Sequence, residues 1–233
     1  TRRGASKSTE DLSFLPHWPD PFQGDVREFD YGRINEPVHL VSGGPPCQPF
    51  SVGGKHKGHQ DSRDMFPEAA RAVRELQPKV FMFENVRGLL REKFAEYFEY
   101  VFLRLTYPEV VKKETEVWNE HLARLERHHS SGTQKGLVYN VTFRALNAAD
   151  YGVPQTRARV ILVGFRSDLG IDWSFPEATH SKERLFWDQW VTGEYWDEHE
   201  VAKKKRPELS EREQRRVARL RERDETPPAA RWR

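Results

Sequence analysis

The hydrophobic positions of the chain fall into short continuous runs that alternate with amphipathic stretches. Four runs have the length and composition of strands, namely 38–42, 80–83, 139–146 and 160–165. Two stretches repeat apolar residues at helical spacing, 65–76 and 94–105. The run 80–83 is continuous, as in a strand buried on both faces. This alternation predicts an α/β fold with a mainly parallel sheet flanked by helices.

The remaining segments are more polar. Residues 1–24 contain several prolines and are predicted to be irregular. Residues 109–131 are predicted to form a charged helix and a loop that could be an insertion. Residues 147–158 are rich in turn formers. After Arg166 the chain becomes rich in tryptophan and tyrosine, which suggests the start of a second, smaller domain. A charged helix is predicted over 208–224.

Composition and charge narrow the class of protein. The 233 residues suffice for one sizeable domain plus an appendage, and the net charge of +2 does not by itself indicate a nucleic-acid binder. No signal-peptide pattern and no apolar run of membrane-spanning length are visible, so we expect a cytoplasmic, reduced chain without membrane contact. No histidine or carboxylate spacing suggests a metal site.

The single cysteine, Cys47, is the first candidate for chemistry. It cannot form an intramolecular disulfide, and it follows the strand 38–42 after the turn Gly43-Gly44-Pro45-Pro46. Active sites of open α/β sheets lie just past the carboxyl ends of parallel strands. The alternative is a small buried hydrophobic side chain, the commonest role of a free cysteine.

Three further polar features lie near predicted strand ends. Glu84 follows the run 80–83, Arg157 and Arg159 immediately precede 160–165, and Asp25 lies ahead of the first strand. A thiol, a carboxylate and two arginines near strand ends together indicate a catalytic site, which no single one of these features would indicate.

Together these residues resemble the motifs of the cytosine-5 DNA methyltransferases. Pro45-Pro46-Cys47-Gln48 is similar to the nucleophile motif, Asp61-Ser62-Arg63 to the segment after the catalytic loop, and Glu84-Asn85-Val86 to the Glu-Asn-Val motif. Residues 146–159 resemble the Gln-x-Arg-x-Arg motif with its lead-in. The resemblance spans roughly 24–168 in the family's order, and four ordered motifs make coincidence improbable.

The resemblance implies a Rossmann-like sheet that uses S-adenosylmethionine and a covalent mechanism on a cytosine flipped out of duplex DNA. Cys47 would add to C6 of the base, and Glu84 would hydrogen-bond N3 and the exocyclic amine. Arg159 would hold O2, with Arg157 supporting that geometry.

Further binding residues follow from the same resemblance. Asp25 would bind the adenine end of the cofactor, and Met65 would pack near it. The Pro46 carbonyl could accept from the amine of the base. A loop over 48–63 would close over DNA, and the substrate-binding candidates there are Gln48, Ser51 and Lys55.

The resemblance is incomplete at both ends. The glycine-rich cofactor motif expected ahead of Asp25 is absent, and only a possible beginning of a target-recognition domain follows Arg166. We therefore expect an irregular segment over 1–24, a partial catalytic core over 25–168 and the start of a recognition domain or linker over 169–233. A flanking segment or second polypeptide would supply the rest.

DNA methylation in this family includes the methylation step of restriction-modification systems. The sequence leaves two other functions open. One alternative is a tRNA cytosine-5 methyltransferase with the same architecture. The other is an inactive or split fragment that binds DNA or a partner chain.

Overall fold

A computed structural model describes residues 23–46, 64–132, 135–153 and 155–222. The chain divides into two units, Thr1–Asp30 and Tyr31–Arg233. In the described part of the first unit, Asp25 caps a single turn of 3-10 helix, Val26–Glu28. The second unit contains all the strands and α-helices of the described residues.

The elements of the second unit alternate as the sequence predicts. Their bounds are β1 Leu40–Gly43, α1 Phe66–Leu76, β2 Val80–Val86, α2 Ala95–Thr106, α3 Trp118–Ser130, β3 Tyr139–Asn147, β4 Ala158–Arg166, α4 Lys182–Phe186, α5 Glu194–Glu198 and α6 Glu211–Glu222. A π-helical turn, Trp187–Thr192, joins α4 to α5. The α/β fold is confirmed, and all four predicted strands and the helices over 65–76, 94–105 and 208–224 are found within a few residues.

The sheet has the order β1-β2-β4-β3. β1 and β2 are parallel, whereas β4 is antiparallel to both of its neighbours, so that β1, β2 and β3 share one direction and β4 is reversed. The expectation of a mainly parallel sheet is therefore correct for the shared direction of β1, β2 and β3, but it is wrong for β4, which pairs with both of its neighbours in antiparallel fashion. The link 148–157 is too short for a parallel crossover, which needs a dozen or more residues.

Helices α1 and α2 cover one face of the sheet, where the core lies. The buried side chains on this face include Phe81, Phe83, Val160 and Leu162. The rings of Phe81 and Phe83 lie 5.2 Å apart, and Tyr139 donates its hydroxyl to Pro78 O at 2.6 Å.

The opposite face is only partly covered in the described residues. Trp173 packs between Phe165 of β4 and Phe175, but Met82 of β2 is 45% exposed. The expectation that the run 80–83 is buried on both faces is therefore wrong. Side chains alternate between faces along a strand, so Phe81 and Phe83 enter the core while Met82 points away from it.

The charged stretch 109–131 forms a loop and α3, which are fastened to α2 through a buried histidine. Nε2 of His121 lies 2.7 Å from Val110 O, and Nδ1 lies 2.9 Å from the Tyr100 hydroxyl. Because a carbonyl can only accept, the neutral ring carries its proton on Nε2 and accepts from Tyr100 at Nδ1. Burial lowers the pKa of His121, and Arg104 and Arg124 lower it further.

Replacing Gly164 of β4 by alanine should destabilise the fold by about 1–3 kcal/mol, because overpacking a core forces its neighbours to shift. A Cβ at this position would lie 2.3 Å from the ring of Phe81. Urea unfolding measures the change. Gly43→Ala is the matched control, since its Cβ would meet its nearest atom, in the Phe83 ring, at 4.0 Å. Equal stability of the two variants would contradict this packing.

Lowering the pH should weaken the fold through His121. Its pKa in the folded state lies below the ordinary value of about 6.5, so its contribution is complete above that pH and is lost as the pH falls. The drop in unfolding free energy between pH 8 and pH 5.5 should be smaller in His121→Gln than in the wild type. His39→Gln, at an exposed position, should drop as the wild type does. An unchanged drop in His121→Gln would refute the assignment.

Candidate active site

The carboxyl ends of β1 and β2 bring two motifs together. The last parallel pair is Gly43 with Phe83, so β1 ends beside Glu84, which remains in β2 opposite Ile161 of β4. A Cβ at Gly44 would lie 3.5 Å from Oε2 of Glu84. The carboxylate predicted to be functional therefore lies against the turn that leads to Cys47.

A side chain of the same motif fastens this turn. Nδ2 of Asn85 donates to Pro45 O at 3.0 Å, and its Oδ1 accepts from the Val86 amide at 2.9 Å. Asn85 is buried, so both of its polar ends are used. Sequence reasoning missed this role of Asn85. The available signal was an asparagine only two positions after the apolar run 80–83.

The turn is closed from the other side by the start of α1. The Met65 amide donates to Pro46 O at 3.1 Å, so the residues that flank 47–63 are hydrogen-bonded to each other. Met65 itself is half-buried. The predicted nucleophile Cys47 and the predicted loop residues Gln48, Ser51 and Lys55 lie outside the described residues.

The two predicted arginines, at and just before the start of β4, form ion pairs with Glu84. Arg159 pairs with Val86 in the sheet, and its Nε lies 2.5 Å from Oε1 of Glu84. Nη2 of Arg157 lies 3.5 Å from the same oxygen. The side chain of Glu84 remains 39% exposed, so all three groups can be reached from solvent. The structure thus brings together Glu84, Arg157 and Arg159.

A second asparagine holds the segment that precedes β4. Oδ1 of Asn147 accepts from the Arg157 amide at 3.0 Å and from the Ala149 amide at 3.4 Å. The Ala148 amide donates to Arg157 O at 3.0 Å. Arg157 is therefore fixed at its backbone while its side chain stays half exposed. Sequence reasoning missed Asn147, which was read only as part of a turn-rich stretch.

The aromatic segment after β4 returns to support the same region. The amides of Thr179 and His180 both donate to Asp150 O at 3.0 Å, and the Tyr151 hydroxyl donates to Pro176 O at 3.0 Å. These contacts hold the lead-in to the arginine motif from outside the sheet.

Asp25 belongs to the first unit, Thr1–Asp30. Its carboxylate accepts from the backbone amide, Nε and Nη2 of Arg27. The hydrogen bonds from the Arg27 side chain lower the pKa of Asp25 to about 2. Its predicted role toward a cofactor remains a prediction.

Comparison with known proteins identifies the family to which the chain belongs. The family model for C-5 cytosine-specific DNA methylase matches residues 14–106 and 117–228, which is most of the chain. The chain belongs to this family. The predicted resemblance is therefore confirmed, and the ten residues between the two matched segments are the loop before α3.

The curated relatives of this methylase chain include bacterial enzymes. It is 36% identical over 162 residues to type II methyltransferase M.NgoMIV of Neisseria gonorrhoeae, covering 70% of this chain and 42% of that protein. It is 34% identical over 180 residues to type II methyltransferase M.HgiCII of Herpetosiphon aurantiacus, covering 74% and 34%. The chain thus spans less than half the length of these two relatives.

A solved structure is also similar to this methylase chain. It is described as a DNA modification methyltransferase encoded within an Escherichia coli prophage, with 27% identity and a TM-score of 0.42. The match covers 65% of this chain and 35% of that one.

Two features are absent from the described residues, 23–46, 64–132, 135–153 and 155–222. No helix there is long and apolar enough to cross a membrane. Within the same ranges, no group of three or more histidine, cysteine or acidic side chains could hold a metal ion.

The Asn85 tether should be a measurable part of the fold of this methylase chain. Asn85→Asp exchanges the donor for an acceptor that faces Pro45 O, so we expect a loss of about 1–3 kcal/mol in unfolding free energy. Asn140→Asp, the same change at an exposed position of β3, should alter stability by less than about 0.5 kcal/mol. Urea unfolding of both variants tests this, and equal effects would contradict the tether.

Proposed function

We propose that this chain is the central part of a DNA cytosine-5 methyltransferase that acts through a covalent bond between Cys47 and C6 of the base. The observation that carries the proposal is the meeting of Glu84, Arg157 and Arg159 beside the turn that leads directly to Cys47. Membership of the C-5 cytosine-specific family supports it.

The proposed chemistry splits one difficult substitution into easier steps. The Cys47 thiolate adds to C6, which makes C5 electron-rich and able to attack a methyl donor. S-adenosylmethionine supplies the methyl group as an electrophilic sulfonium. The donor would leave as the neutral thioether S-adenosylhomocysteine. Loss of the C5 proton to water and breaking of the S–C6 bond would then restore the aromatic ring and the thiolate.

Glu84 and the arginines assist by binding the ring. One carboxyl oxygen of Glu84 donates its proton to N3, and the other accepts from the exocyclic amine. This stabilises the negative charge that builds up on N3 during addition. Arg159 turns from Glu84 to O2 of the base, with Arg157 supporting the geometry. The side chains of Glu84, Arg157 and Arg159 are partly exposed, so a base that enters from solvent can reach them and exchange these ion pairs for contacts with the ring.

The proposed substrate is duplex DNA with the target cytosine flipped out, because a base within the stack hides C6 from a thiol. A cleft of about 480 Å³ beyond the end of β2 is lined by Arg87, Gly88, Leu90, Arg91 and Ala145. Its two exposed arginines are suited to backbone phosphates. The relatives are named type II methyltransferases, and we propose the same restriction-modification role here.

The described residues fit the proposed cofactor only in part. A carboxylate such as Asp25 is suited to the amine of adenine, but its oxygens already accept from Arg27. Met65 offers an apolar contact at the start of α1. We therefore propose that a flanking segment or a second polypeptide supplies the remaining cofactor contacts.

Cys47→Ser should abolish transfer of labelled methyl groups to C5 of DNA cytosine in the complete protein while leaving its unfolding transition unchanged. Glu84→Gln should reduce the rate by about 10²–10⁴-fold. Glu96→Gln, on the exposed side of α2, is the matched control and should match the wild type.

The outcomes separate the remaining candidates. Wild-type rates in Cys47→Ser would contradict the covalent mechanism. Label on tRNA but not on DNA would assign the RNA substrate. No label on either, with retained DNA or partner binding, would indicate a non-catalytic module.

A further inference from the structure

Asp64, two residues before the start of α1, carries a buried carboxylate. Oδ1 of Asp64 accepts from the Phe66 amide at 3.1 Å, so Asp64 caps the first turn of α1 from the position before the N-cap residue, Met65. Its Oδ2 accepts a short hydrogen bond from the hydroxyl of Tyr97 on α2. Both side chains are buried, at 9% exposure for Asp64 and 6% for Tyr97.

Capping alone does not explain this choice of residue. Serine, threonine or asparagine would satisfy the Phe66 amide equally well, without the cost of placing a carboxylate in the interior. The second oxygen is what a carboxylate adds, and here it ties the first turn of α1 to α2. Asp64 thus joins two elements of the core.

This tie lies next to the joint that closes the segment containing Cys47. Met65, the neighbour of Asp64, donates its amide to Pro46 O, the carbonyl immediately before Cys47. On the other side, Asn85 holds Pro45 O. A shift of Asp64 is therefore passed through Met65 to Pro46 and so to the residue that follows it.

We propose that Asp64 and Tyr97 are positioning residues that hold Pro46, the residue before the proposed nucleophile Cys47, at the end of the turn beside Glu84. The inference rests on the function proposed above. Displacement of a reacting group by about 1 Å can reduce a rate by about 100-fold. Loss of the tie should therefore slow addition to C6 at unchanged affinity for DNA.

Helix α2 offers a matched control. Tyr100 lies one turn after Tyr97 and is equally buried, but its hydroxyl bonds His121. Tyr97→Phe and Tyr100→Phe each remove one buried hydroxyl from the same helix. A purely structural role for Tyr97 predicts equal effects of the two substitutions on stability and on rate.

The experiment measures release of tritium from C5 of cytosine in duplex DNA by the complete protein, at a temperature where every variant is folded. Tritium leaves when the thiolate has added to C6, C5 has taken a proton or methyl group, and the S–C6 bond has broken. We expect Tyr97→Phe to lower kcat for release by about tenfold or more with KM for DNA unchanged. Tyr100→Phe should stay within about twofold of the wild type.

Replacement of the carboxylate provides the second arm. Asp64→Asn keeps a side-chain oxygen for the Phe66 amide and a polar group for Tyr97, whereas Asp64→Ala keeps neither. We expect Asp64→Asn to release tritium faster than Asp64→Ala. Urea midpoints of all four variants report stability separately.

Equal release by Tyr97→Phe and Tyr100→Phe, with an active wild type, would overturn the inference and leave the proposed function standing. Equal release by Asp64→Asn and Asp64→Ala would also overturn it. No release by the wild type would overturn the proposed function, and this inference with it.

Discussion

The hydrogen bond from Asn85 to Pro45 O is the contact on which the site depends. It joins a turn near residue 45 to the end of a strand 40 positions later in the sequence. Parallel pairing of β1 and β2 brings these ends to one edge of the sheet, but pairing alone does not fix the path of a turn. Because both polar ends of the buried Asn85 side chain are satisfied, it holds that path beside Glu84.

The candidate site also requires the reversed direction of β4. Arg157 and Arg159 lie at or before the amino-terminal end of β4, so a parallel β4 would carry them to the edge of the sheet away from Glu84. The antiparallel register sets Arg159 opposite Val86, and its guanidinium meets the carboxylate. The departure from a wholly parallel sheet is therefore what assembles the candidate site in this member of the methylase family.

The sequence predicted the elements and the site residues because these depend on local pattern. Continuous apolar runs predicted the strands, helical spacing predicted α1 and α2, and the motifs singled out Glu84, Arg157 and Arg159 as candidates. That these three side chains meet was visible only in the structure. The direction of β4 and the exposure of Met82 depend on which elements pack on each face, and no local pattern encodes that. The contacts of Asn85, Asn147 and Asp64 likewise join distant segments and became visible only in the structure.

The most direct test of the account is to trap the proposed covalent bond. The complete protein is incubated with S-adenosylmethionine and duplex DNA carrying 5-fluorocytosine, and the protein–DNA adduct is digested and mapped. Fluorine at C5 cannot leave as a proton, so the account predicts a stable adduct on Cys47. An adduct on another residue, or active methylation of ordinary DNA without any adduct, would contradict it.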